Sequence, residues 1–479
     1  MRATFRASML SSVILLLLGA PTLLWAQESP LHAELRGESE RVSDACSTWT
    51  FKGAPGCAYT LFTDHPLHIA AGSMPPQNGF GLGAAFVWSK NTRNWRVNWD
   101  LDAVGATRAA WRAGAYVKII HTPHPATNPI VVIIPGQTKN KQGTTKPTAS
   151  FTHPYSVFNL YAQSISLNQL SYFGLGNDTA LSGKSVFGMT ETIVGGSAIK
   201  PMYEWAAIRG LHLALLGEVN GRFVDIRGKH GQSTPSIETL YAEATAPGLT
   251  RQPGFLQLGE GVRITPTIGN FELNYLAKFQ QFIAPSNSHF TFLRWTLDLN
   301  HTYYLYKRSA PASTETVGPD SCAPAGESCP PIPYTRNLNG SIGARVLLTE
   351  SIASATNAIP FYFQPTLGGQ DIDSALALGS YQDYRFRAPN LLLFQESFEH
   401  SVWGPLGLKL MADQGRVALA RGDLGFNDLK HSFAAGLTLR AGGFPMVTLM
   451  YSWGGPEGQH TIANMNTSLL GGSSRPPLY

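Results

Sequence analysis

The chain is poor in charge. Lys, Arg, Asp and Glu together make up 14% of it, against about 25% in an ordinary soluble domain, so a water-facing surface of the usual kind is not expected. Beyond the first 25 residues it has no apolar run long enough for a transmembrane helix. It has few cysteines, and they fall in two close pairs, Cys46/Cys57 and Cys322/Cys329, without CxxC spacing. That spacing argues against a metal site and leaves two local disulfides as the simple reading for an exported chain. There is no nucleophile elbow, phosphate loop, HExxH or convincing pair of acids, so no enzyme activity, cofactor or metal is expected. His65 with His68 and His121 with His124 read as solvated loop residues rather than ligands. The formal net charge of +5 includes two arginines at the N-terminus and is too mild to imply a nucleic-acid partner.

The N-terminus opens with Arg2 and Arg6, then runs through Met9 and Val13–Leu18 to about Trp25. A basic start and a short apolar core broken by Pro21 make residues 1–26 a secretory signal peptide. Residues 27–79 then form a short periplasmic lead-in, ending in the turn-rich Pro75-Pro76-Gln77-Asn78-Gly79.

From Phe80 onward apolar and polar residues alternate. Trp95, Val97, Trp99, Leu101 and Ala103 oppose Arg96, Asn98, Asp100 and Asp102; Leu293, Trp295, Leu297 and Leu299 oppose Arg294, Thr296, Asp298 and Asn300. Leu211, Leu213, Leu215, Val219 and Phe223 oppose Glu218, Asn220 and Arg222. This is the period of a strand, not of a helix. Trp and Leu on one face with charge on the other suits a wall between hydrocarbon and a polar lumen. The expected fold is therefore all-β: an antiparallel transmembrane β-barrel of about 16 strands over 80–470, with 471–479 as a tail. Strand starts are expected near 80, 94, 108, 157, 185, 211, 255, 270, 291, 339, 359, 390, 405, 432, 444 and 460. If the first runs outward, the connections 122–156, 198–210, 307–338, 369–389 and 414–431 all lie outside, and 227–254 in the periplasm. Tyr172–Thr179 becomes a periplasmic turn.

The stretch from Pro365 to Gly415 is distinctive. Pro365-Thr366-Leu367-Gly368-Gly369 leads to Leu378-Gly379-Ser380-Tyr381 and then Tyr384-Arg385-Phe386-Arg387. After Asn390–Trp403 and the turn Gly404-Pro405 comes Met411-Ala412-Asp413-Gln414-Gly415. By parity with Leu406, Leu408, Leu410 and Ala412, Asp413 faces the lumen.

This ordered series resembles the sixth extracellular loop and following hairpin of the BamA/TamA family of bacterial surface antigens. Met411–Gly415 resembles the family's FxDxG motif, and Leu429–Leu439 the strand after it. Phe173-Gly174-Leu175-Gly176-Asn177-Asp178-Thr179 resembles a turn of the same family. The resemblance covers roughly the C-terminal 110 residues. It implies a loop locked into the lumen through an arginine, with Tyr381, Arg385, Phe386, Arg387, Asp413 and Gly415 as lock residues. Gly379 stands where the family has its arginine, so either Arg385 or Arg387 takes over the pairing with Asp413 or the lock is lost; Arg385 is the favoured substitute, since a buried guanidinium requires a partner. Residues 27–79 are too short for a POTRA module, so only the barrel is resembled.

The implied role is insertion or translocation of polypeptide or lipid at the outer membrane, with membrane lipid and a polypeptide or lipid client as partners. The weak seam would lie between Phe80–Lys90 and His460–Leu470. The alternative is a passive porin-like channel, which needs an open lumen. An outer-membrane hydrolase and a soluble secreted β-protein are disfavoured, the latter by Trp95, Trp99, Trp295 and Leu297.

Overall fold

The computed structural model describes residues 67–478 except 93, 122–155, 206–210, 269, 311–335, 404–405, 442–443 and 466–475, together with Ser43 and Ser47. Residues 1–61 form a unit of their own. The signal peptide expected at 1–26 and nearly all of the segment 27–66 lie outside the described residues, as do His65, His124 and Asn466. So do Cys46, Cys57, Cys322 and Cys329, and with them both expected disulfides, Cys46–Cys57 and Cys322–Cys329.

Alternation builds strands, and the strands pair in chain order. They are β1 (Leu67–Ser73), β2 (Phe80–Asn91), β3 (Trp95–Ala106), β4 (Trp111–His121), β5 (Val157–Tyr172), β6 (Ser185–Trp205), β7 (Leu211–Gly228) and β8 (Phe255–Thr265, continued past Pro266 by Thr267–Ile268). Then come β9 (Phe271–Ile283), β10 (Phe292–Ala310), β11 (Arg336–Ile352), β12 (Asn390–Trp403), β13 (Leu406–Ala418), β14 (Lys430–Ala441), β15 (Phe444–Gly455) and β16 (Gly458–Met465). Each lies antiparallel to the next, giving a nearly closed barrel of 16 strands. Among the described residues no helix is long and apolar enough to cross a membrane.

The two faces of the wall follow the sequence pattern. Leu101, Val219, Phe223, Trp295 and Leu449 are exposed on the outside, Val219 by 56% and Trp295 by 50%. Asp100, Asp102, Asn220, Arg222, Arg294 and Asp413 are buried on the inside. Only hydrocarbon around the wall makes that inversion favourable, since water would penalise the apolar band and lipid would penalise unpaired charge. The inward charges are partnered. Arg222 Nη1 lies 2.6 Å from Glu191 Oε1 with both side chains fully buried. Glu218 Oε1 accepts from Gln257 and Gln280, each at 2.7 Å, and meets Lys278 Nζ at 3.0 Å.

The strand total agrees with the sequence reading, but two of its strands do not. Leu67–Ser73 is the first wall strand, pairing with β2 from Leu67↔Phe86 to Ser73↔Phe80. The barrel therefore begins at Leu67 rather than Phe80. Its Ala70, Ala71 and Gly72 are too small and uniform to show alternation. The strand expected from 359 does not exist. Phe361–Phe363 is a 3-10 turn with all three rings buried, set between Pro360 and Pro365, neither of which can donate to a ladder.

These two errors cancel in the count but not in the topology. Antiparallel connections alternate between ends, so 74–79, 107–110, 173–184, 229–254, 284–291, 353–389, 419–429 and 456–457 share one end. The strands bracketing 122–155, 206–210 and 311–335 open at the other. Thus 369–389 and 414–431 do not share an end with 122–156 and 307–338, and Tyr172–Thr179 sits at the end that holds 369–389.

Candidate functional site

The site is the connection 353–389, between β11 and β12. It enters on an aromatic anchor. Phe361 packs edge-on against Tyr172 and Phe187, each at 5.2 Å, and Phe363 against Phe255 at 5.0 Å and Phe282 at 5.3 Å. Such contacts bury much apolar area per residue and fix ring geometry. A short neck follows, in which Thr366 and Leu367 pair with Arg387 and Phe386. Beyond the neck the chain turns back on itself. Gly368 has φ +103° and a Cβ there would lie 2.4 Å from Arg385 Cβ, so the turn requires glycine. Asp371 Oδ1 accepts from the amides of Asp373 at 3.0 Å and Ala375 at 2.8 Å, shaping the tip.

The tip lies against the inner wall of β12 to β15. Asp413 Oδ2 accepts from Leu378 N at 2.9 Å, and its Oδ1 from Gln395 Nε2 at 2.9 Å. The same Gln395 Nε2 donates to Leu376 O at 2.9 Å. Ser380 N donates to Ser432 Oγ at 2.9 Å, and Gly455 N donates to Ser380 Oγ at 3.0 Å. Asn464 on β16 donates to Ser374 O at 3.4 Å. The wall therefore reads mostly the loop's backbone.

Each predicted lock residue is in the loop or the wall it touches, but the pairing differs from expectation. Among the described residues no arginine bonds to Asp413; a backbone amide and an amide side chain hold it. Arg385 instead forms a buried ion pair with Glu457, in the turn after β15, and donates to Thr179 O at 2.5 Å. Its guanidinium stacks 4.9 Å from the Phe173 ring and 4.8 Å from that of Phe386. Tyr381 and Phe386 meet edge-on at 5.1 Å in a buried cluster with Leu367, Leu391, Leu393 and Val417. Arg387 Nη1 donates to Phe361 O at 2.7 Å, and Gly176 N donates to Arg387 O at 2.7 Å. Burial lowers the Arg387 guanidinium to about 10. Gly415 lets the neck approach the wall, since a Cβ would lie 2.9 Å from Leu392 O and 3.0 Å from Leu367 Cδ1.

The departure at Gly379 has a steric cause here. A Cβ would lie 2.4 Å from Ser452 Oγ and 2.9 Å from Ser452 Cβ. The loop lies flush on β15, leaving no room for a side chain, and the loop's buried ion pair is made by Arg385.

Sequence reasoning missed Glu457, Thr179, Gln395, Ser432 and Ser452. Only Thr179 carried a signal, as part of the glycine-rich turn, and that turn closes the mouth. Asn177 Nδ2 donates to Asp428 O at 3.1 Å, Lys430 Nζ meets Asp178 Oδ1 at 2.9 Å, and Lys184 Nζ donates to Gln382 Oε1 at 2.6 Å. The turn follows the fifth strand and Asp428 follows the thirteenth, half-way round a ring of 16. The contact thus spans the mouth from one side to the other.

Under this roof a cavity of about 300 Å³ remains between tip and wall. It is lined by apolar side chains such as Phe187, Met189 and Leu393 and by Lys278, Arg294 and Arg345. Arg345 is paired bidentately with Asp298, both contacts 2.9 Å. Burial pushes Asp371 up to about 6. Asp373 opens onto the lumen but is ringed by the wall, and that enclosure together with the neighbouring Asp371 carboxylate pushes it up as well.

These features define a class: a membrane barrel whose mouth is closed by its own loop between the eleventh and twelfth strands. Three solved structures are similar to the chain. CdiB from Acinetobacter baumannii has 9% identity and a TM-score of 0.45, over 83% of this chain and 59% of that one. CdiB from Escherichia coli has 8% identity and a TM-score of 0.49, over 84% and 62%. BamA from Haemophilus ducreyi lacking POTRA domains 1-3 has 8% identity and a TM-score of 0.43, over 83% and 69%. The chain spans about three-fifths of the length of the two CdiB chains. No family model and no curated protein matches it.

Proposed function

We propose that this chain is an outer-membrane barrel of the BamA/TamA type that inserts or translocates polypeptide or lipid, without covalent chemistry. One observation carries the reading: the connection between the eleventh and twelfth strands is seated inside the lumen and tied to the wall through Asp413, Ser432 and Glu457. A passive pore has no use for such a plug. The seam supports the same reading. β1 and β16 share no ladder among the described residues, and Met465 N donating to Ser73 Oγ at 3.1 Å bridges them. That edge is weaker than its neighbours and is where a client strand or a lipid would enter the wall. The seam lies at Leu67–Ser73, not at Phe80–Lys90.

Deleting residues 376–387 tests the reading in two ways. In planar bilayers the intact chain should show little steady conductance and the deletion a large one. In cells, the deletion should reduce assembly of surface proteins or lipids. A large, stable, ohmic conductance from the intact chain would establish the porin-like alternative instead.

A further inference from the structure

The described part of the tail, residues 476–478, lies inside the lumen against the loop tip. Arg222 Nη2 donates to Pro477 O at 2.9 Å, and Leu478 N donates to Asp373 Oδ1 at 2.9 Å. The Leu478 side chain is buried, 5% exposed, in the apolar cluster that also holds Phe187 and Met189. Wall and tip thus grip one carbonyl, one amide and one apolar side chain of the same short segment. Two of the three contacts read backbone, which any peptide carries.

The same cavity offers more than the tail uses. Tyr362 and Gln364 line it and are 3% and 4% exposed, and the Tyr362 hydroxyl and Gln364 Oε1 have no hydrogen-bond partner among the described residues. A buried hydroxyl and carbonyl left unsatisfied are costly unless a ligand atom or water meets them.

We propose that the lumen carries a peptide-binding site, formed by Arg222, Asp373 and the Leu478 pocket, which takes a segment presenting an apolar residue to that pocket and which residues 476–478 occupy in cis. Such a site holds a passing chain by its backbone, as strand-addition sites do, with the tail as a competitor that must leave first. A tethered occupant competes at high effective concentration, so the site is masked in the resting chain. The inference rests on the translocation reading for its purpose but not for its test.

The probe is a fluorescent peptide of residues 473–478, capped at both ends and titrated into the purified full chain by anisotropy. Leu478→Asp expels the tail from its apolar pocket and should bind the probe at least tenfold more tightly than the unaltered chain. Adding Asp373→Ala, which removes the amide acceptor, should reverse that gain. Leu478→Ala provides a milder displacement should the charged variant not fold, and should give a smaller gain in the same direction. Equal binding by the unaltered chain and both tail variants would overturn the proposal, as would tight binding that ignores Asp373. Loss of client assembly with normal peptide binding, or the converse, separates this site from the translocation reading.

Discussion

At the scale of residues, the loop is held by a buried charge pair, Arg385 with Glu457. Arg385 and Glu457 are each almost fully buried, with side chains 5% and 6% exposed. Removing one partner leaves the other charge without its ion, which costs more than the pair contributes over neutral groups. Arg385→Ala should weaken seating of the loop by about 3 kcal/mol. It would be read as roughly hundredfold faster hydrogen exchange at the Leu378 and Ser380 amides. Arg385→Ala with Glu457→Ala should recover part of that loss, whereas additivity of the two changes would mean that they do not interact. Gly379 makes a sharper case. Gly379→Arg restores the residue that the BamA/TamA resemblance leads one to expect, yet Ser452 Oγ already occupies the space of a Cβ. Both Gly379→Ala and Gly379→Arg should lift the tip off β15 and speed exchange at Ser380. Ser452→Gly should rescue the alanine and not the arginine. An arginine variant that protects as well as the unaltered chain would show that the close approach has no consequence.

At the scale of elements, what matters is how the loop is held and how much of that can be read from sequence. The outward and inward faces of β3, β7 and β10 were legible, because hydrocarbon on one side forces strict alternation upon Trp95, Leu101, Phe223 and Trp295. Asp413 facing inward followed from the same parity. β1 was not legible: Ala70, Ala71 and Gly72 pack closely and carry no alternation. The run Phe361–Phe363 misled, because three consecutive aromatics suggest a strand while two prolines fold them into a plug. Without β1 every loop before the spurious strand at 359 falls at the wrong end, and that strand restores the ends of the loops after it, so the glycine-rich turn at Phe173–Thr179 is expected opposite the loop it touches. The partners Glu457 and Ser432 had no local signal, since nothing in a sequence states which wall position faces a loop tip 75 or 52 residues away. The loop also carries a pH response. Burial raises Asp371 to about 6 from an ordinary 3.8, so the seated loop binds a proton more tightly than the released one. The cost of its ionised form is fully present above about 6 and disappears as the pH falls towards 3.8. Seating should therefore strengthen as pH drops across that window. After correction for intrinsic rates, protection of the Ala375 and Ala377 amides should rise from pH 7 to pH 5, and Asp371→Asn should lessen the rise without abolishing it, because burial raises Asp373 and Asp383 as well. Protection that falls with acidity in the unaltered chain would contradict the assignment.

For the whole molecule, the question is whether the barrel must open. Every pair of consecutive strands from β1 to β16 is joined by a ladder, and the ring is completed where β1 and β16 meet. Among the described residues both joints beside the seam are laddered, β1 to β2 and β15 to β16, whereas β1 and β16 are bridged by Met465 N donating to Ser73 Oγ. The loop lies in the lumen beneath the mouth, and Asn177 and Lys430 tie opposite sides above it. If the proposed function holds, a chain or lipid bound for the bilayer would pass laterally, and the unladdered seam is where the wall would part. Ser73 Oγ and Met465 N lie 3.1 Å apart, so these two positions are neighbours across the seam and the place to attempt a cross-link. The pair Ser73→Cys with Met465→Cys should cross-link under oxidation, leave folding and export intact, and stop assembly of surface clients. Reduction should restore it. The same pair of cysteines placed at Leu82 and Gly105, across the fully laddered β2–β3 joint, should cross-link without effect. Full assembly activity in the oxidised seam variant would mean that the wall never parts there, and the plugged barrel would then need an axial path that moves the loop instead.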